Sequence, residues 1–230
     1  MFKWDLFLEQ FIDKGGYKTV LNGLSVTIQI AIFGLIIGIF VGTLIAIVKV
    51  MTKTNFFTKL LDKICVIYVA IFRGTPMVVQ LLVSHYVLLP LMGVVIDPLV
   101  EAITVFGLNS GAYVSEIMRG GIESVDKGQL EAGRALGLTF GMAMIKIVIP
   151  QAIKNILPTL GNEFITLIKE TSVASFVTVI DLYSAFNLIG GAMYSYLLPY
   201  IVLALIYVVL VVIFTILVKL IERRLKRSEH

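Results

Sequence analysis

Four ionisable residues, Arg73, Glu163, Lys169 and Glu170, stand in or beside runs of sequence otherwise apolar enough to lie in a bilayer. Charge held there is costly, so such residues pair with one another, face water or line a solute pathway. Glu163 has no complementary charge on its own helical face. Neutral polar residues accompany it, namely Asn22, Gln29, Gln80, Asn109, Ser110, Asn162 and Thr166. These types bind and compensate charge rather than make or break bonds. The only histidines are His85 and His230, and neither has Cys, Asp or Glu partners at metal-ligand spacing. His85 reads as a polar helix residue at an outer interface. It adjoins Ser84, but helical neighbours point about 100° apart and cannot work as nucleophile and base. No GxxxxGK[ST] phosphate loop occurs, so ATP hydrolysis is not expected of this chain.

The elements that position these residues follow from composition. With 58% hydrophobic and 15% charged residues and a mean hydropathy of +0.97, the chain lacks the polar surface of a soluble domain. It reads as an all-α integral membrane protein. A span needs about 20 apolar residues. Thr19–Val48 is uncharged and gives a first span; Ile64–Ile96 holds only Arg73 and His85 and gives a second, with a kink expected at Gly74-Thr75-Pro76. Ala102–Ser115 and Asn155–Ile168 are short runs that must recruit polar flanks, and Tyr196–Val218 makes a fifth. Glu163 lies eight residues beyond Asn155, roughly 12 Å into a core about 30 Å thick. Ser110, approached from the opposite side near Glu101, reaches a similar depth, so the two are expected to share one cavity.

Basic residues cluster on one side of this arrangement. Lys49, Lys53, Lys59 and Lys63, then Arg119, Lys127, Arg134, Lys146 and Lys154, then Lys219, Arg223, Arg224, Lys226 and Arg227 fall in alternate connections and the tail, whereas Asp97–Glu101 and Asp181–Met193 read as loops without lysine or arginine. The positive-inside rule then sets the N-terminus outside and the C-terminus in the cytosol. Trp4, Phe7, Leu8 and Phe11 recur at helical spacing, as an interfacial helix lying on the outer surface requires. Gly34, Gly38 and Gly42 form a side-chain-free groove for another helix, either the second span or a second subunit. The single cysteine, Cys65, excludes an intramolecular disulfide. The parts are therefore an interfacial segment 1–18, a transmembrane domain 19–222 and a basic tail 223–230.

One polar stretch interrupts the membrane pattern. In GQLEAGRALGLTFGMAMIKIVIP, from Gly128 to Pro150, Leu130, Ala132, Ala135 and Leu136 form a small apolar face opposite Glu131 and Arg134. Gly137 ends the helix because glycine enters the left-handed turn cheaply. The small residues at Ala132, Gly133 and Ala135 let a partner's backbone approach closely. Glu131-Ala132-Gly133, then Gly137 and Pro150, resemble the EAA loop of bacterial ABC importer permeases. The likeness to the polar amino acid branch of that family continues from Ser110 to Phe176, through SGAYVSEIMRGGIESVDKGQLEAGRALGL and PQAIKNILPTLGNEFITLIKETSVASF. Two positions depart from it: Gly133 replaces an alanine of the motif, and Asp126 stands where proline is common, which implies a less rigid approach to the loop.

The resemblance implies a type I importer permease core of five transmembrane helices in a bacterial inner membrane. It implies a cytosolic coupling loop over about 119–154, with Glu131, Ala132, Gly133, Ala135, Leu136 and Gly137 at the ATPase contact. Expected partners are two ABC ATPase subunits that bind ATP-Mg, a second permease copy or homologue, an extracytoplasmic solute-binding protein and the amino acid itself. No cofactor of its own, no metal and no nucleic acid are expected. Arg73 in FRGTP and Glu170 in KETS match motif positions of the family and are expected to form a structural ion pair. Glu163, with Asn22, Asn109, Ser110 and Thr166, is the expected site for a polar, and by its charge cationic, amino acid. Two other readings stand beside this one: an ion-coupled secondary carrier, which should show a second related half, and a non-transporting membrane scaffold.

Overall fold

A computed structural model of the protein describes residues 3–50 and 55–227, and within these the chain is helical. Phe2 of the expected interfacial segment and Lys53 of the expected basic cluster lie outside the described residues, as does the end of the expected basic tail at 228–230. Helix α1, Trp4–Leu8, runs into a π-helical turn, Glu9–Asp13, and is followed by α2, Gly16–Val50. Phe7 of α1 is buried, stacks on Phe11 at 5.4 Å and enters a cluster with Val20, Leu182, Phe186 and Leu198. The amphipathic segment thus divides: its phenylalanines close on the protein, while Trp4 and Leu8 stay exposed.

Helix α3, Phe56–Gly74, and α4, Met77–Val83, do not form one kinked span. Pro76 drives Thr75 into extended backbone (φ −120°, ψ 144°), and the chain turns by 108° between α3 and the arm Met77–Met92. That arm consists of α4, a π-helical turn Ser84–Leu88 and α5, Leu89–Met92. Gln80 fastens the bend by donating from Nε2 to the carbonyls of Phe72 (2.9 Å) and Thr75 (3.0 Å). A proline removes one donor; here a side chain supplies another to the freed carbonyls.

Helix α6, Pro98–Glu123, is the central element. Asp97 caps it, accepting from the Leu99 amide at 2.8 Å, and Pro98 occupies its first turn. It lies along α2 because glycines on both helices remove the side chains between them. A methyl at Gly34 would stand 3.3 Å from Phe106 Cβ, at Gly38 2.6 Å from Ser110 Oγ, and at Gly42 2.7 Å from Val114 Cβ; reciprocally, one at Gly107 would meet Ile37 at 2.6 Å and one at Gly111 Val41 at 2.8 Å. The glycine groove therefore holds the third expected span, not the second span or another subunit.

Beyond α6 come α7, Lys127–Ala135, α8, Phe140–Ala143, a π-helical turn Met144–Val148 and α9, Ile149–Glu170. The face Ala152, Ile156 and Leu160 of α9 packs on Val114 and Val125, the 3.6-residue period of a buried stripe. After a 3-10 stretch, Thr171–Val177, the expected loop at 181–193 proves to be α10, Leu182–Ala192. Asp181 caps it through the amides of Tyr183 (3.2 Å) and Ser184 (2.9 Å). Leu182, Ala185, Phe186 and Ile189 are buried at helical spacing against α2 and α11, Leu197–Arg227. Three stretches, Gly16–Val50, Phe140–Val177 and Leu197–Arg224, are long and apolar enough to cross a membrane, and the bent pair α3–α4/α5 makes a fourth if taken as one span. Helix α6 is not among them, because its sequence is that of a helix surrounded by protein: Glu101, Asn109, Ser110 and Ser115 are all buried.

Candidate functional site

Glu163 and Ser110 meet as their depths predict. Ser110 Oγ donates to Glu163 Oε1 at 3.0 Å, joining α6 to α9. Gly38 makes this possible, since a side chain there would occupy the place of the serine hydroxyl. Among the described residues this hydroxyl is the carboxylate's hydrogen-bond partner, and no ion pair neutralises it. Thr166 is one turn further along α9, its hydroxyl donating to the Asn162 carbonyl at 3.1 Å. Asn22 does not join the set. It is exposed, and 16 residues of α2 separate it from Gly38, roughly 24 Å along the axis.

Asn109, about 100° around α6 from Ser110, points into the bend. It is buried and donates to Gln80 Oε1 (3.0 Å) and to the Phe72 carbonyl (3.3 Å). The α3–α4 break is thereby tied to α6 through one amide network. Beside it lies a cavity of about 320 Å³, walled by Arg73, Thr75, Asn109, Tyr113 and Glu170. The expected Arg73–Glu170 ion pair does not form. Arg73 Nη1 stands 4.0 Å from Glu116 Oε2, and its guanidinium lies 5.4 Å over the Tyr113 ring. The bend is the physical reason: it swings the end of α3 toward Glu116 on α6, leaving Glu170 on the far wall of the cavity.

Two clusters escaped the sequence reading. Glu116 accepts from Lys49 Nζ at 2.5 Å and from Arg119 at 2.7 and 3.2 Å, and Arg119 also reaches Glu123 at 2.7 Å. The spacing Glu116, Arg119, Glu123 on one helical face was the available signal. Glu101, expected at a loop edge, is instead fully buried and lies 2.7 Å from His85 Nδ1. His85 is thus not a simple interfacial residue. No local pattern could pair them, because they come from different helices.

The polar stretch folds as a hairpin of α7 and α8 on the same side as the basic helix ends. Asp126 caps α7, its carboxylate accepting from the Gly128 amide at 2.6 Å. The residue that departs from proline thus fixes the helix start by a hydrogen bond rather than by a ring. Gly137 adopts φ +87° and ends the helix. Gly133 is buried inside the hairpin, where a methyl would meet Ile147 Cδ1 at 2.7 Å and Ala143 Cβ at 3.3 Å. It serves the hairpin's own closure and is unavailable to a partner, which corrects its place in the expected contact. Glu131, Ala132, Ala135, Leu136 and Gly137 are exposed, and Leu136 is 84% exposed. Gln151 reaches Gln129 of α7 at 3.4 Å, anchoring the hairpin to the start of α9, and Asn155 Nδ2 donates to Ser124 Oγ at 2.9 Å, tying α9 to the end of α6 just before the hairpin.

Residues 34–227 match the family described as binding-protein-dependent transport system inner membrane component. The chain belongs to this family of ABC importer permeases. It is 41% identical over 210 residues to the arginine transport system permease protein ArtQ of Bacillus subtilis (strain 168), covering 91% of this chain and 94% of that protein. A putative glutamine transport system permease protein GlnP of Rickettsia bellii (strain RML369-C) is 37% identical over 206 residues, 90% and 92% of the two chains. Among solved structures, a chain of an amino acid ABC transporter with histidines superposes with a TM-score of 0.85 at 40% identity, covering 93% of this permease and 98% of that chain. An inward-facing methionine transporter, MetNI, shares the fold at a TM-score of 0.67 and 20% identity, covering 98% and 99%. The all-helical type I importer fold inferred from the hairpin motif is therefore the fold of this protein.

Proposed function

We propose that this permease forms the membrane path of an ATP-driven importer of cationic amino acids. The observation that carries the reading is the Glu163 carboxylate, held at mid-helix between α9 and α6 with a serine hydroxyl for company. A carboxylate in such surroundings is stabilised by an incoming guanidinium, ammonium or imidazolium group. The relative named for arginine and the solved transporter with histidines support the same substrate class.

The basic helix ends and the α7–α8 hairpin mark the cytosolic face by the positive-inside rule. ATPase subunits holding ATP-Mg dock there on Glu131, Ala132, Ala135, Leu136 and Gly137. A solute-binding protein delivers the amino acid to the opposite face, and a second permease copy or homologue completes the path around a two-fold axis. ATP-driven closure of the ATPase pair draws the two hairpins together, and because each hairpin continues directly into α9, its displacement is passed to the helix that carries Glu163. Access alternates between the two faces by rigid-body motion. This chain binds, positions and moves; the covalent chemistry belongs to its partners.

Glu163→Gln tests the reading. Uptake of arginine and lysine by the reconstituted complex should fall about 10- to 100-fold, the worth of one charge-assisted hydrogen bond, with glutamine uptake changed by no more than about twofold. Equal losses for all three substrates in a folded complex would reject charge recognition by Glu163.

A further inference from the structure

The cavity at the α3–α4 bend has a use that the ion-pair expectation concealed. Its two charged walls are opposite in sign and do not neutralise each other. On one side stands Arg73, 45% exposed. Glu116, its nearest carboxylate at 4.0 Å, already holds Lys49 at 2.5 Å and Arg119 at 2.7 Å. With Glu123 holding Arg119 from its other side at 2.7 Å, two carboxylates among three cations still leave one positive charge in excess, and Arg73 is the cation of the three that lines the cavity. On the other side stands Glu170, half-buried, with no side-chain hydrogen bond or ion pair among the described residues. Its neighbour Lys169 turns into a different groove, with Tyr183 and Tyr207.

We infer that this cavity is a head-group site, with the Arg73 guanidinium binding the α-carboxylate of an amino acid and the Glu170 carboxylate binding its α-ammonium. This rests on the amino acid reading above and adds to it a place for the zwitterion. A guanidinium presents a planar fork that matches a carboxylate, and a cavity of about 320 Å³ falls at the lower end of small-molecule sites. Glu163 and Glu170 are seven residues apart on α9, two turns or about 10.5 Å. A long cationic side chain held at its head by Arg73 and Glu170 extends along α9 toward Glu163. The α3–α4 break, fastened by Gln80 and Asn109, positions the arginine for this role.

The test uses the purified permease–ATPase complex without its binding protein and compares binding of arginine, agmatine, which lacks the carboxylate, and 5-guanidinopentanoate, which lacks the ammonium. The wild type should bind arginine about tenfold or more tighter than either analogue, since each deletion strands a charged partner. Arg73→Gln should erase the arginine–agmatine difference and keep the other; Glu170→Gln should do the reverse. Arg73→Lys, which keeps the charge, should retain discrimination against agmatine. A purely structural role would weaken all three ligands together, and that result overturns the assignment, as do ratios unchanged by either variant. Unchanged ratios in a complex that still binds arginine leave the amino acid reading standing. A wild type that binds none of the three overturns that reading instead.

Discussion

Gly42→Leu should leave almost no folded permease. The new Cβ alone would sit 2.7 Å from Val114 Cβ and 2.8 Å from the Ser115 amide, so α2 and α6 must separate along their whole contact. Ordinary overpacking costs about 1–3 kcal/mol; a leucine driven against the backbone of α6, which has no flexible end to yield, costs well beyond that, enough to offset most of the roughly 5–15 kcal/mol of a typical domain. Fluorescence-detected size-exclusion of detergent extracts measures the folded fraction. Gly120→Ala is the matched control, because a methyl there meets nothing within 4 Å, and its profile should match the wild type. A normal profile for Gly42→Leu would show that the α2–α6 contact is looser than described.

Leu136→Asp should separate folding from coupling. The side chain is 84% exposed, so the hairpin loses no packing of its own. If it anchors the ATPase, a buried apolar contact becomes a desolvated charge, and the affinity for the ATPase should fall about 30-fold or more. Co-purification and binding-protein-stimulated ATP hydrolysis would both drop. Gly137→Asp should act similarly for a different reason, since φ +87° strains any side chain there. Gly133→Val, by contrast, should disrupt the hairpin itself against Ile147. Full stimulated hydrolysis in Leu136→Asp would remove this residue from the coupling surface.

How far the sequence reached depended on whether each feature was local. Uncharged runs located α2 and α11, and the turn chemistry of Gly137 located the end of α7, because both are written in consecutive residues. The depth count that joined Glu163 to Ser110 succeeded because two straight helices keep a fixed rise per residue. It failed for Asn22, which was chosen by type without a depth. The Gly-Thr-Pro break was visible, but its 108° angle was not, since a proline permits a range of bends and the Gln80 and Asn109 network selects one. That angle also decided the partner of Arg73. Helix α10 was hidden by reading a stretch free of lysine and arginine as a loop, although Leu182, Ala185, Phe186 and Ile189 carried a helical period. Gly133 was assigned outward because small residues suit any close contact, and only the fold of α7 on Ile147 shows which contact it serves.

ATP-driven import is tested most directly by measuring arginine uptake in proteoliposomes that contain the permease, its ATPase and its binding protein, with the energy source varied. Enclosed ATP should drive accumulation with no ion gradient, and a Leu136→Asp permease should abolish it. Accumulation driven by a proton or sodium gradient in the absence of ATP, and unaffected by Leu136→Asp, would contradict ATP-driven import and favour an ion-coupled carrier.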